Sequence, residues 1–170
     1  MTRDEFWKII EDCRPSGSSS SESAHSTAIR DKLASMDVTE IRSFGNHFQE
    51  LMNEANIADL AAAMDVIEGG IGDDGFFEYR AGLILRGRSV FDVVVRDPER
   101  AVDYLEEDGN SLYEPEMLTV AVDAYEQKTG NSDLPNDWLI GTNAVKGQIL
   151  DDAGIRKRFP KLCERYWDRS

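Results

Sequence analysis

In the window between Glu68 and Pro98 of this 170-residue sequence, six of the charged side chains could take part in binding or catalysis. They are Asp73, Asp74, Glu78, Arg80, Arg86 and Arg88. On a helix, Glu78 stands four residues after Asp74 and therefore on the same face, whereas Arg80 emerges from a different side. Carboxylates paired on one face are groups that hold a divalent cation or perform acid–base catalysis. The window therefore predicts a candidate binding site at these six residues.

The same side chains also have structural roles open to them. Asp73 or Asp74 can cap a helix, and the other acid can favour the positive end of its dipole. Arg80 can reach a buried carboxylate or the carboxyl end of another helix. If the partner is a buried carboxylate, Arg80→Ala should cost about 3 kcal/mol or more. A hard-cation site needs further carboxylates at defined spacing, and none follows locally, so no metal is predicted.

Two glycine-containing stretches suggest phosphate binding. Arg86-Gly87-Arg88 combines a tight turn with guanidinium groups that suit bidentate contact to phosphate. Gly69-Gly70-Ile71-Gly72 looks like a phosphate-binding loop, but the pattern before it is helical, whereas such loops follow a strand. We therefore predict no nucleotide and no other cofactor.

Glycine and proline also divide the window into helices. Gly69-Gly70 closes one helix, Gly87 ends the next, and Asp97-Pro98 starts a third with Pro at its first position. The run Val93-Val94-Val95 is compatible with a strand. Pro98 follows within three residues and no alternation indicates a sheet partner, so a helix is favoured.

The rest of the chain shows helical spacing of apolar residues, most clearly between Val38 and Ala55. Thr2 and Glu5 are placed as a capping box at the first helix. The stretch from Ser16 to Ser23 has no apolar residue to bury and predicts a flexible linker. A basic helix is expected at about residues 155–168. We predict one all-α domain over residues 1–170, with about seven to nine helices.

Charge narrows the possible partners. The chain has 19 basic and 33 acidic residues, a net charge of −14 and a pI near 4.5. Such a surface opposes binding to nucleic acid or to an anionic membrane, and it favours a basic protein partner. Neither a signal peptide nor a membrane-spanning run is visible, and Cys13 and Cys163 are typical of reduced core thiols, so a cytoplasmic location is expected.

Several of these motifs occur together in one known family. They are Phe6-Trp7 with Ile10, Gly69-Gly70, Asp73-Asp74-Gly75-Phe76, Tyr79-Arg80, Gly87-Arg88, Asp97-Pro98 and Phe159-Pro160-Lys161-Leu162. In this combination the chain resembles the bacterial DUF4240 family over most of residues 1–130. It departs from the family pattern at Tyr79, where Phe is usual, and at Ala81-Gly82-Leu83, where a Trp is usual before the Leu. The resemblance implies a fold and no activity.

Two hypotheses of function remain open. The first is a non-enzymatic, acidic interaction or regulatory protein that binds a basic protein partner. The alternative is a small-molecule-binding protein or hydrolase-like enzyme with a pocket around the Asp-Asp-Gly-Phe and Gly-Arg motifs. Convergence of the charged side chains on an open cleft would favour the alternative.

Overall fold

A computed structural model describes residues 1–15, 22–70, 72–104, 114–135 and 144–168. This part of the chain is helical and contains no β-strand. Its nine α-helices are α1 (Arg3–Asp12), α2 (Glu22–Ala34), α3 (Val38–Glu54), α4 (Ala58–Glu68), α5 (Asp73–Leu85), α6 (Arg88–Arg96), α7 (Glu116–Thr129), α8 (Asp152–Arg158) and α9 (Pro160–Leu162). A 3₁₀ helix (Pro98–Asp103) follows α6, and a π-helical turn (Cys163–Trp167) continues α9. The predicted all-α fold is confirmed.

Local sequence signals determine several helix ends. The hydroxyl of Thr2 accepts a hydrogen bond from the Glu5 N–H at 3.2 Å, and the Glu5 carboxylate accepts one from the Thr2 N–H at 2.6 Å. Gly69 ends α4 in the left-handed conformation, at φ 71° and ψ 28°. That conformation is strained for a residue with a Cβ, which explains why glycine closes the helix. The valine run lies within α6, as the helical alternative predicted.

The buried apolar side chains form one cluster that draws on all nine helices. At one end of it, the aromatic rings of α1, α3 and α6 meet. The ring of Phe6 lies 4.5 Å from that of Phe44, and the ring of Trp7 lies 5.5 Å from that of Phe91, between centroids. Phe6, Phe44 and Phe91 are fully buried. A single continuous core of this kind is typical of one domain.

Two buried polar contacts attach α2 to its neighbours. The His25 ring nitrogen Nε2 lies 2.7 Å from the carbonyl oxygen of Ile10 in α1. Burial lowers the pKa of His25, so the neutral ring donates from Nε2 at neutral pH. The Ser26 hydroxyl donates to the buried Glu114 carboxylate just before α7, at 2.8 Å. These bonds satisfy polar groups that would otherwise oppose the packing of α2.

Two predicted segments have different boundaries in the structure. The basic C-terminal helix expected at about 155–168 is interrupted, because α8 ends at Arg158 and α9 begins at Pro160. Proline has no N–H to continue a helix and disfavours helical geometry in the residue before it, here Phe159 at φ −128° and ψ 58°. Helix α2 begins at Glu22, inside the predicted linker, while residues 16–21 lie outside the described part of the chain.

An irregular segment, residues 144–150, crosses the junction between α3 and α4. The Ala58 N–H donates to the Lys146 carbonyl at 2.7 Å, and the Lys146 N–H donates to the Asn56 carbonyl at 3.0 Å. The Lys146 ammonium group also donates to the Asn53 carbonyl at the end of α3, at 2.9 Å. This segment is largely exposed, yet these three hydrogen bonds and one from the Asn56 side chain to the Ala144 carbonyl hold it in place.

Candidate functional site

The end of α3, the start of α5 and segment 144–150 enclose an open pocket of about 240 Å³. Its lining residues are Gln49, Asn53, Asn56, Asp73, Asp74, Phe76, Phe77, Arg80 and Val145. Drug-sized ligands occupy sites of about 300 Å³ or more, so this pocket suits a smaller molecule. The lining combines one cation, two acids, three amides and two aromatic rings, a mixture that suits a polar ligand.

Arg80 forms the inner wall of the pocket. Its Nε–H donates to the carbonyl of Phe76 at 3.3 Å, and its Nη1 donates to the carbonyl of Met52 at 2.9 Å. Met52 lies in the last turn of α3, where carbonyl groups lack a partner within their own helix. The rings of Phe76 and Phe77 flank the guanidinium at 4.8 and 5.0 Å. Of the two partners considered for Arg80, the helix end is therefore the one present.

No described acidic side chain lies close enough to form an ion pair with Arg80. The residue is 6% exposed, and no carboxylate among the described residues lies within 4 Å of it. Burial lowers the pKa of Arg80 to about 10, so it stays protonated at neutral pH. A guanidinium has five N–H donors, and the two bonds above leave 5 − 2 = 3 of them without a partner in the described structure. These donors are available to an anionic ligand.

Asp73 and Asp74 lie on the exposed rim of the pocket. The prediction that one of them caps α5 is wrong, because the capping residue is Gly72 and no side chain makes a capping bond there. The two acids occupy the first turn, where a negative charge is still favoured by the helix dipole. No basic side chain of the described residues pairs with either carboxylate. Both remain available to a ligand.

The other three predicted site residues lie elsewhere. Glu78 is half-buried and does not line the pocket. Arg86 ends α5, and its carbonyl accepts a hydrogen bond from Arg14, just after α1, at 3.0 Å. Arg88 pairs with Asp4 at 2.6 Å and with Asp92 at 3.6 Å. The structure thus brings together three of the six residues, Asp73, Asp74 and Arg80.

Sequence reasoning missed the amide side chains of the pocket. Gln49 and Asn53 stand four residues apart on α3, so they share a helix face beside its apolar stripe. Asn56 follows α3 and is buried, with its amide nitrogen 3.4 Å from the carbonyl of Ala144. The amide spacing on α3 was a signal that could have been used. Nothing in the local sequence of Val145 placed it against α5.

An apolar groove of about 260 Å³ adjoins the pocket, and the two share Asp73, Phe76 and Val145. The rest of its lining is Ala58, Ala61, Ala62, Asp65, Gly72, Ile149, Leu150 and Ile155. The three alanines of α4 leave space there because their side chains are short. Ile149 is 86% exposed at the edge of this groove, a high value for a large apolar side chain.

The Gly-Arg motif joins α1 to the junction of α5 and α6. Gly87 is buried with φ at 95°, and the space that a Cβ would occupy is taken by the Glu11 carboxylate. The Arg14 guanidinium donates to the carbonyls of Leu85 and Arg86 at 3.2 and 3.0 Å. These bonds satisfy the carboxyl end of α5. In this structure the motif therefore serves the packing of helices.

Gly87→Ala is expected to lower the free energy of unfolding by about 1–3 kcal/mol, because the left-handed backbone is strained for alanine. Displacement of the Glu11 side chain adds to this cost. Gly72→Ala is the matched control, since Gly72 has an ordinary φ of −77° and open space around its Cβ position. It should change stability by no more than about 0.5 kcal/mol. Equal stability of the two variants in urea denaturation would contradict this role of Gly87.

The basic C-terminal region contacts the acidic body of the protein. Arg158 pairs with Asp59 at 3.0 Å and with Asp97 at 3.8 Å. The Lys161 N–H donates to the Glu99 carboxylate at 2.8 Å. Exposed pairs of this kind each contribute only about 0–1 kcal/mol. These contacts fix the orientation of α8 and α9 on the rest of the protein, and they contribute little to its stability.

Comparison with known proteins places the chain in a family. A family model described as a protein of unknown function, DUF4240, matches residues 1–127. The chain belongs to the DUF4240 family. The α3 and α5 walls of the pocket lie within the DUF4240 region, whereas Val145 and the rest of its segment lie after it. No curated protein and no solved structure was found to match.

Two further properties of the described residues concern membrane-spanning helices and metal sites. None of the helices combines the length and apolar character that crossing a membrane requires. No group of three or more His, Cys, Asp or Glu side chains is arranged to hold a metal ion within residues 1–15, 22–70, 72–104, 114–135 and 144–168. The pocket lined by Arg80, Asp73 and Asp74 is thus the strongest candidate in the described part of this DUF4240 protein.

Proposed function

We propose that this protein binds a small molecule through a carboxylate group that contacts Arg80. The observation that carries the proposal is the state of Arg80: it is 6% exposed, has no acidic partner among the described residues and lines an open pocket. Removing a charge from water without a partner is unfavourable. An arriving anion would reduce that cost, so the free protein already contains a driving force for binding.

The geometry of Arg80 favours a carboxylate. Its guanidinium is fixed by two carbonyl groups and two aromatic rings, so few side-chain rotations are lost when a ligand binds. A planar fork of N–H groups matches the two oxygens of a carboxylate. The amide groups of Gln49 and Asn53 on the facing wall offer further hydrogen bonds. Such preorganisation is what gives small ligands useful affinity.

Titration of the ¹⁵N-labelled protein with 4-methylpentanoate tests the proposal. We expect chemical-shift changes at the amides of α5 and at the end of α3, saturating with added carboxylate. Arg80→Met removes the charge and keeps much of the apolar stem, and it should weaken binding by about tenfold or more, the value of a charged hydrogen bond. Arg88→Met is the control, because Arg88 lies outside the pocket. No saturable change at the pocket in the wild-type protein would overturn the proposal.

A basic protein partner is the second candidate. It is favoured by the net charge of −14 and by one exposed face of α7. That face carries Glu116, Asp123 and Glu126, and no described basic side chain lies within 4 Å of these acids. Binding should weaken steeply with salt, because exposed charges are screened. Capture of partners from native lysate at low and high salt tests this, and a set of partners unaffected by salt would count against it.

A further inference from the structure

We infer that the ligand of the Arg80 pocket is a small zwitterion with an apolar side group. Its carboxylate would bind Arg80, its ammonium group would bind at Asp73 and Asp74, and its side group would enter the groove beside α4. The inference rests on the proposed function and names the class of molecule bound. Three features of the described residues support it independently.

The first feature is the spacing of opposite charges along α5. The Nε–H of Arg80 bonds to the carbonyl of Phe76, so the guanidinium lies back toward the start of the helix. Asp73 precedes Phe76 by three residues, which places it about 4.5 Å further along the helix axis. Both residues line the same pocket. A molecule that carries its carboxylate and its ammonium group close together can contact both.

The second feature is the negative charge of the pocket rim. Asp73 and Asp74 are exposed and have no basic partner among the described residues. Two negative charges at the entrance repel a phosphate group, whose charge at neutral pH is close to two. They attract an ammonium group by the same interaction. The rim therefore selects a zwitterion over a simple anion.

The third feature is the continuity of the pocket with the apolar groove. The two spaces meet at Asp73, Phe76 and Val145, so a ligand held by its charged groups has an apolar space beside it. Ala61 and Ala62 line that space with side chains too short to fill it. An apolar side group placed there gains the free energy of leaving water. The groove would make the site prefer an apolar amino acid over glycine.

Four probes separate the parts of this inference. L-Leucine has all three features, 4-methylpentanoate lacks the ammonium group, 3-methylbutylamine lacks the carboxylate, and glycine lacks the side group. We expect L-leucine to bind about twofold to fivefold more tightly than 4-methylpentanoate in calorimetry or NMR titration, from one added exposed charge pair. Glycine and the amine should bind more weakly than L-leucine. Inorganic phosphate should not compete with it.

Charge-neutral variants supply the matched controls. Asp73→Asn combined with Asp74→Asn should remove the preference for L-leucine and should strengthen the binding of 4-methylpentanoate, because two charges that repel its carboxylate are lost. Glu116→Gln changes an acid in the first turn of α7, away from the pocket, and should affect neither probe. Thermal unfolding of each variant shows that it is folded before titration.

The outcomes distinguish this inference from the proposed function. If 4-methylpentanoate binds through Arg80 and L-leucine binds no more tightly, the carboxylate site stands and the zwitterion is wrong. If the double variant keeps the preference for L-leucine, the role of the two acids is wrong. Binding of phosphate more tightly than L-leucine would also overturn the inference. If no carboxylate binds at the pocket, both proposals fail.

Discussion

Arg80→Ala is expected to lower the free energy of unfolding by about 2 kcal/mol. The main cause is the Met52 carbonyl at the end of α3, which loses its donor, and a buried group left unpaired costs about 1–3 kcal/mol. Loss of the side-chain stem between Phe76 and Phe77 adds to this. The removal of an unpaired buried cation acts in the opposite direction. The net effect should remain a clear destabilisation.

Urea denaturation of the wild type and the variant measures this difference. The expected loss is smaller than the value of about 3 kcal/mol or more that a buried carboxylate partner would imply. The size of the loss in unfolding free energy therefore distinguishes a carbonyl partner at the helix end from a buried carboxylate partner. Arg88→Ala is the control, because its exposed pairs with Asp4 and Asp92 should contribute no more than about 1 kcal/mol. Equal stability of Arg80→Ala and the wild type would contradict the capping role of Arg80.

Phe44→Ala is expected to have the largest effect on stability, a loss of about 3–5 kcal/mol. Phe44 is fully buried in α3, with its ring 4.5 Å from that of Phe6 in α1. Its removal loses the transfer free energy of the ring and leaves a cavity that a close-packed core fills only in part. Since whole domains are stable by about 5–15 kcal/mol, the variant should lie near the limit of folding.

Two further variants make this prediction specific. Phe44→Leu keeps most of the apolar volume and should cost less than Phe44→Ala, about 1–2 kcal/mol. Phe77→Ala removes a ring that is 38% exposed at the pocket, so it should cost less than about 1.5 kcal/mol. Thermal or urea unfolding followed by circular dichroism ranks the three. A loss below about 1 kcal/mol for Phe44→Ala would show that its ring contributes little to the core.

The helical architecture could be predicted because its signals are local. Apolar spacing of three and four residues identified α3, and glycine at the end of α4 marked a backbone conformation that only glycine adopts without strain. The capping residue of α5 was predicted wrongly, because several neighbouring residues can take that role. At the start of α5, Gly72 and the two following aspartates are all acceptable capping residues, and the structure uses Gly72.

The candidate site was predictable only in part. Asp73, Asp74 and Arg80 were among the predicted residues, but helical spacing paired Asp74 with Glu78 and put Arg80 on a different side, whereas the pocket contains Arg80 and not Glu78. The sequence also drew in Arg86 and Arg88, because nearness along the chain does not distinguish a pocket from a helix junction. Arg86 contacts Arg14 and Arg88 contacts Asp4, and both partners lie more than 70 positions away in the sequence. No local pattern carries that information.

Sequence alone determined the all-α class, the acidic surface and most helix ends, since each depends on residue type and on neighbours within about one turn. Tertiary structure decided which charges are satisfied. The Met52 carbonyl at the end of α3 accepts one hydrogen bond from Arg80, the Phe76 carbonyl of α5 accepts another, and Arg14 binds the carbonyl of Arg86. Segment 144–150 closes one side of the pocket. Burial determines how strongly these contacts affect stability, because an unpaired charge has a small free-energy cost in water and a large one in a protein interior. That difference makes Arg80, among the six candidate residues, the one to test first.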